Sequence, residues 1–109
     1  MPILEAWQEG APVACSAVTM LPDQAGDAAL LFDPTSSESI ADAMLKMWTS
    51  APLRSELARL GAERLRHFTW EKTAKAYRAV YRRAAGWPLT EEDRILLRWD
   101  WMREPEPPR

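Results

Sequence analysis

The chain has 109 residues, a length that suits one small domain. Its content of 47% apolar and 28% charged residues is ordinary for a globular protein. No run of about 18 apolar residues is present, which excludes a transmembrane span, and we expect no secretory signal because the first residues lack a basic region followed by an apolar one.

The charge and the cysteine content limit which classes of partner and which cellular compartment we expect for this chain. The net charge of −2 gives no reason to expect nucleic-acid binding. The single cysteine, Cys15, excludes an internal disulfide and a multi-cysteine metal site, and it favours a reducing, cytoplasmic compartment. A basic excess between Arg54 and Arg83 is interpreted as a solvated helix face, with weak attraction to an anionic ligand or membrane surface as the alternative.

The first third of the chain predicts a helix and two strands. Residues 1–10 predict a helix, because a proline stands in its first turn and a glycine at its end. Residues 12–16 and 28–32 are short apolar runs bounded by turn residues, which predicts two strands. The segment 21–27 between them contains proline, aspartate and glycine and is predicted to be a turn.

The remainder predicts four helices followed by a tail. Residues 35–38 have the spacing of a capping box, with Glu38 three positions after Thr35. The second helix is predicted to begin near residues 50–52, the third is predicted to be capped by Thr69, and residues 90–93 predict a fourth helix start. The third helix is predicted to stop at Gly86, and the fourth, rich in tryptophan, at about Arg103. Prolines in residues 104–109 predict an extended, mobile tail.

Three of these helices carry apolar stripes at helical spacing, which we interpret as core. The first stripe consists of Ile40, Ala43, Met44, Met47 and Trp48. The second consists of Leu53, Leu57 and Leu60, with Leu65 and Phe68 at its end. The third consists of Trp70, Thr73, Tyr77, Val80, Tyr81 and Ala84.

Few residues are candidates for chemistry. The chain has no glycine-rich phosphate loop, paired zinc histidines or nucleophile elbow. His67 is interpreted as a helix-terminal histidine and Cys15 as an inert core thiol. Glu5 stands near a predicted helix start, either as a surface glutamate favoured there or as a carboxylate that binds ligand hydroxyls.

Several short segments resemble one known family in their order and spacing. They are residues 1–6, 10–13, 21–23, 25–30, 33–34, 53–54, 60–61 and 68–71, with Tyr77, Val80 and Tyr81. Together they are similar to the C-terminal part of retaining, nucleotide-sugar-dependent glycosyltransferases of group 1. The resemblance covers about residues 1–86.

The resemblance implies an α/β fold of the GT-B type, in which two Rossmann-like domains face a cleft. The chain is then a partial Rossmann-like domain, mostly helical with two short parallel strands. Residues 1–86 are expected to be the C-terminal part of the nucleotide-sugar-binding domain. Residues 87–109 are expected to add a short Trp-rich helix and a Pro-rich mobile tail. Two strands alone make an unstable parallel sheet, which also indicates the end of a larger α/β domain.

The resemblance also implies a donor site. Glu5 matches the second of two glutamates separated by seven residues in the family, where it binds the ribose hydroxyls of the nucleotide. By the same match, the backbone at Met1 and Ile3 lies close to the donor phosphate and sugar. The full enzyme would transfer a sugar from a UDP- or GDP-sugar to a hydroxyl acceptor without a metal or other cofactor. The chain alone is expected to be inactive, because the first glutamate and the acceptor domain are missing.

The resemblance places Met1 inside a motif. An internal methionine assigned as the start, a truncated gene and a fragment boundary are all consistent with this. The expected partners are the nucleotide-sugar donor, the missing N-terminal domain and a second copy, with membrane contact at most peripheral. The alternative function is a small non-enzymatic helical module that binds a partner through an exposed apolar face, as the tryptophans at 87, 99 and 101 suggest.

Overall fold

The computed structural model describes residues 2–104 and 106–109. Its elements are α1 (Pro2–Gln8), β1 (Val13–Ser16), α2 (Leu21–Ala25), β2 (Ala29–Phe32), α3 (Ser37–Thr49), α4 (Ala51–Leu65), α5 (Trp70–Ala84) and α6 (Glu91–Arg98). They form two compact units, with α1 to α4 and both strands in unit 1 and His67–Arg109 in unit 2. Each of the predicted helices and strands is present, which confirms a mostly helical α/β chain.

The strands β1 and β2 pair in parallel, from Val13 opposite Ala29 to Ser16 opposite Phe32. The connection between them contains α2, so the predicted turn over residues 21–27 is wrong for its first five residues. Pro22 stands in the first turn of α2, where a missing N–H costs nothing, and this explains why a turn-forming residue begins a helix here.

A tryptophan and a glycine hold α1 against α4. The side chain of Trp7 is 2% exposed, and that of Ile3, one helical turn earlier, is 5% exposed. A Cβ atom added at Gly61 of α4 would lie 2.3 Å from Trp7 Cδ1. Only glycine therefore lets the indole ring approach the α4 backbone this closely, and the contact fixes the position of α1.

A half-buried arginine holds α2 against α4. Arg64 Nε donates to the carbonyl oxygen of Gln24 at 2.7 Å, and its Nη2 donates to that of Asp23 at 2.8 Å. These carbonyl groups belong to the last turn of α2, where no N–H group of the helix is available to donate to them. Gly26 follows with φ +56°, and a Cβ there would lie 2.8 Å from Arg64 Cζ.

The N-terminal caps of the later helices largely follow the sequence. The predicted cap Thr69 is confirmed, and the helix starts predicted near Ser50 and Thr90 are confirmed with these two residues as the caps. The cap of α3 is Ser36, whose hydroxyl accepts from the Ser39 N–H at 3.1 Å, so the prediction of Thr35 is wrong. The Thr35 hydroxyl instead donates to Asp33 Oδ1 at 2.7 Å, in the turn after β2.

The interpretation of the apolar stripes as core is wrong for α5, holds in part for α3, and is confirmed at the buried Leu57 of α4. On α3, Ala43 is buried, whereas Met44 and Trp48 are 68% and 85% exposed. On α5, all six residues of the predicted stripe are exposed, and the buried residue is Ala79 on another side of the helix. The spacing does mark one side of α5, but the neighbouring elements of its unit cover a different side.

Helix α6 is shorter than predicted and ends at Arg98. Trp99 leaves the helix in an extended conformation, and the Asp100 carboxylate accepts from the Met102 N–H in a local turn. Trp101 packs edge-on against Phe68 with ring centroids 6.0 Å apart. Within residues 2–104 and 106–109, the helices are too short or too polar to cross a bilayer.

Candidate functional site

Glu5 lies on the outer side of α1. Residues 3 and 7 are one helical turn apart and form the buried side of the helix, so residue 5 lies on the opposite side. The Glu5 side chain is accordingly exposed. The contact of Trp7 with α4 therefore holds a carboxylate at a fixed position on the surface.

The predicted backbone contacts of the donor site involve Ile3 and Met1. The Ile3 side chain is buried, which leaves its backbone as the part that can meet a ligand. Ile3 is the second residue of α1, within the first turn, whose amides have no acceptor inside the helix. Met1 lies outside the described residues.

The chain connections indicate where α1 begins relative to the sheet. Four residues join α1 to β1, and Gly10 turns the chain there with φ +73°. Such a short connection is expected to bring the start of α1 to the side of the sheet where β1 ends. The exposed residues 17–20 follow β1 at that side, and Thr19 among them has a positive φ of 58°. In open α/β sheets, ligands bind beyond the carboxyl ends of the strands.

Three arginines of unit 1 contact backbone carbonyls or acids of the same unit. Arg54 Nη1 donates to the carbonyl oxygen of Met47 at 2.7 Å, and Arg64 donates to α2. Arg59 pairs with Glu56 at 2.8 Å on the surface of α4. These arginines stabilise helix ends and helix surfaces, and their geometry does not form a cationic clamp for a diphosphate.

The other titratable candidates have structural roles. Cys15 is 8% exposed in β1, and burial raises the pKa of its thiol, which suits an unreactive core cysteine. His67 lies in the turn that follows α4, as predicted. The described part of the chain contains no group of three His, Cys, Asp or Glu side chains suited to a metal ion.

Asp93 is a buried carboxylate that the sequence analysis did not single out as buried. Its side chain is 0% exposed, and its Oδ2 accepts from the Thr90 N–H at 2.9 Å and from Arg82 Nη1 at 2.8 Å. The Thr90 amide first, and then the Arg82 guanidinium, lower the pKa of Asp93 to about 2. The acidic residue three positions after Thr90 was a signal for a capping box. Asp93 thus closes the N-terminus of α6 and ties it to α5.

Comparison with known proteins connects the chain to carbohydrate transfer. It is 37% identical over 84 residues to "O-antigen chain mannosyltransferase B" of Escherichia coli. The match covers 73% of this chain and 22% of that protein, so the chain spans about a fifth of its relative's length. No family model matches the chain, and no solved structure matches it significantly. The chain is therefore related to a glycosyltransferase, as its motifs predicted.

Proposed function

We propose that the chain forms the C-terminal part of the nucleotide-sugar-binding domain of a group 1, GT-B glycosyltransferase. The observation that carries this proposal is an exposed glutamate on a firmly anchored helix, next to a parallel β–α–β unit, in a chain related to a mannosyltransferase. The complete enzyme transfers a sugar from a UDP- or GDP-sugar to a hydroxyl acceptor. Residues 1–86 contribute to the donor domain, and residues 87–109 are an appended helix and tail.

Glu5 binds the ribose of the donor in this proposal. A carboxylate has two oxygens that accept hydrogen bonds from the two adjacent ribose hydroxyls, and such charge-assisted bonds contribute about 1.5–3 kcal/mol. The packing of Trp7 on Gly61 supports this role, because it holds α1 rigidly and spares the ligand the cost of ordering the helix. The backbone at Met1 and Ile3 lies beside the donor phosphate and sugar.

The chain by itself binds nucleotide weakly and transfers no sugar. Catalysis in such enzymes depends on stabilising the departing diphosphate and on positioning the acceptor. The arginines of unit 1 described above are engaged with helix ends and surface acids instead. These three arginines therefore do not form the diphosphate clamp. In this proposal, other parts of the complete enzyme supply the clamp and the acceptor site.

Titration calorimetry with UDP and GDP tests the ribose contact directly. We expect weak binding of one nucleotide by the chain, and at least a tenfold loss in Glu5→Gln, which keeps the shape of the side chain and removes its charge. Glu9→Gln is the matched control, because Glu9 is an exposed glutamate just after α1. Equal affinities of the two variants contradict the proposed role of Glu5, and no binding by any of the three proteins favours the non-enzymatic helical module.

A chimera tests the same site in a complete enzyme. A segment of this chain that includes Glu5 and the matched part replaces its counterpart in O-antigen chain mannosyltransferase B, and mannosyl transfer is then measured. We expect the chimera to retain activity. We expect Glu5→Gln in the chimera to raise its KM for the donor. An active chimera whose donor KM is the same with glutamate and glutamine at position 5 refutes the ribose contact while leaving the family relationship intact.

A further inference from the structure

Helix α5 presents an aromatic surface to solvent. We call it the aromatic face; it consists of Trp70, Tyr77, Val80 and Tyr81 of α5, with Trp87 just after the helix. Trp70 is 87% exposed, Tyr81 66% and Trp87 67%. The four side chains of α5 share one side of the helix because Val80, Tyr81 and Trp70 lie three, four and seven positions from Tyr77. Trp87 follows the helix, after Gly86.

The polar side of α5, and not the aromatic face, packs against α6. Ala79 is fully buried, and its helical neighbour Arg82 pairs with the buried Asp93 of α6. Arg78 also reaches α6, where its Nη2 lies 3.1 Å from Glu92 Oε2. Within unit 2, α6 therefore occupies the side of α5 opposite to the aromatic face and leaves that face uncovered.

The size of the aromatic face suits a protein interface. Full burial of one aromatic side chain removes about 150–250 Å² from water, so the exposed fractions of the four rings correspond to roughly 550 Å². A standard-size interface buries about 800 Å² on each partner. The four rings thus supply most of the area that a stable dimer needs, and Val80 adds to it.

The charges around the aromatic face favour a protein partner over an anionic membrane. Lys75 pairs with Glu71 at 3.1 Å and with Glu92 at 3.0 Å, and Arg78 pairs with the same Glu92. These ion pairs leave little excess positive charge beside the rings. Attraction to anionic lipid needs such an excess, whereas two copies with compensated charges approach each other without repulsion.

The face also carries a groove and a projecting side chain at matched positions. A shallow groove runs along the C-terminal half of α5, at the border between the aromatic face and the side that packs on α6. It is lined by Tyr77, Tyr81, Ala85 and Trp87, and also by Arg78 and Arg82. At the other end of the helix, Trp70 projects into solvent. Trp70 and Ala84 each lie seven positions from Tyr77, about 10.5 Å along the helix axis.

We propose that two copies of the chain pair antiparallel through the aromatic face, with a twofold axis near Tyr77 and Trp70 of each copy seated in the groove of the other. Antiparallel pairing about Tyr77 places position 70 of one copy opposite position 84 of its partner, next to Ala85 and Trp87. The contact is then self-complementary, as a twofold interface requires.

Sedimentation equilibrium of the full chain tests the pairing with two matched substitutions. Trp70→Ala removes the side chain that enters the groove, and Trp48→Ala removes a tryptophan of α3 that is almost equally exposed, at 85%. We expect a dimer for the unmodified chain, a dimer of the same strength for Trp48→Ala, and at least a thirtyfold weaker dimer for Trp70→Ala. This is the effect of a hot-spot tryptophan.

Cross-linking tests the position of the axis. Tyr77→Cys is expected to give a disulfide-linked dimer under mild oxidation, whereas Trp48→Cys stays monomeric on a denaturing gel; Cys15 is buried in both. A monomeric unmodified chain overturns the proposal, as does a dimer that Trp70→Ala leaves intact. Sedimentation of a monomeric chain with vesicles of anionic phospholipid also overturns the proposal.

Discussion

Replacing Gly61 by alanine adds one methyl group at the contact between α1 and α4. The new Cβ would lie 2.3 Å from Trp7 Cδ1, 2.6 Å from Nε1 and 2.8 Å from Cγ. Ordinary contacts of this kind begin at 3.4 Å, so the indole ring or α1 must move by about an ångström. Because three ring atoms are too close and the ring is 2% exposed, rotation of a flexible side chain cannot relieve the overlap.

The expected loss of stability follows from two opposing effects. Overpacking a well-packed core costs about 1–3 kcal/mol. Alanine inside a helix gains about 1 kcal/mol over glycine, because it restricts the unfolded chain. We therefore expect Gly61→Ala to lower the free energy of unfolding by up to about 2 kcal/mol, measured by urea denaturation followed by circular dichroism.

A second background isolates the steric cause. In Trp7→Leu, which removes the ring and keeps an apolar residue, Gly61→Ala should be neutral or stabilising by up to about 1 kcal/mol. An equal loss of stability in both backgrounds refutes the steric reasoning, and so does a stabilised Gly61→Ala in the unmodified chain. Under the proposed function, Gly61→Ala should also weaken nucleotide binding, because it displaces the helix that carries Glu5 without changing Glu5 itself.

Two further predictions concern polar contacts between helices. Arg64→Ala removes two charge-assisted hydrogen bonds to α2. We therefore expect the free energy of unfolding to fall by about 2 kcal/mol and amide hydrogen exchange to become faster in residues 21–28. Unchanged exchange there would show that other contacts hold α2. Asp93 has a folded-state pKa of about 2, below the value of about 3.9 for the unfolded chain, so its contribution to stability is complete above about pH 5 and is lost as the pH falls through 4 towards 2. Asp93→Asn should therefore flatten the acid limb of the stability profile, and a profile with the same slope between pH 4 and pH 2 would contradict this assignment.

Local signals in the sequence were sufficient where one residue decides the backbone. The glycines at 10 and 86 have positive φ, as predicted for helix ends, and Thr69 caps α5. The turn predicted over residues 21–27 was wrong because proline favours both a turn and the first turn of a helix. The stripe that contains Tyr77 was placed correctly on one side of α5, but spacing does not reveal which side a neighbouring element covers.

Contacts between distant residues had no local signal. Trp7 and Gly61 are separated by 54 positions, and Gly26 and Arg64 by 38. In both pairs a glycine is needed because of what lies next to it in space, which a single sequence does not show. The role of Glu5 stays a prediction: the structure shows that its side chain is exposed on an anchored helix, and the ribose contact depends on a ligand.

The polar contact between α5 and α6 has a thermodynamic consequence. Among the described residues of unit 2, the fully buried side chains are Ala79 and Asp93, whereas large apolar side chains of α6 such as Ile95 and Leu96 are half-buried. The heat capacity of unfolding rises with the apolar area that becomes exposed, so unit 2 should contribute less to it per residue than a unit with a fully buried apolar core. Its calorimetric transition should accordingly be broader. Covering the aromatic face would add apolar burial, and with it a larger heat capacity step and a sharper transition.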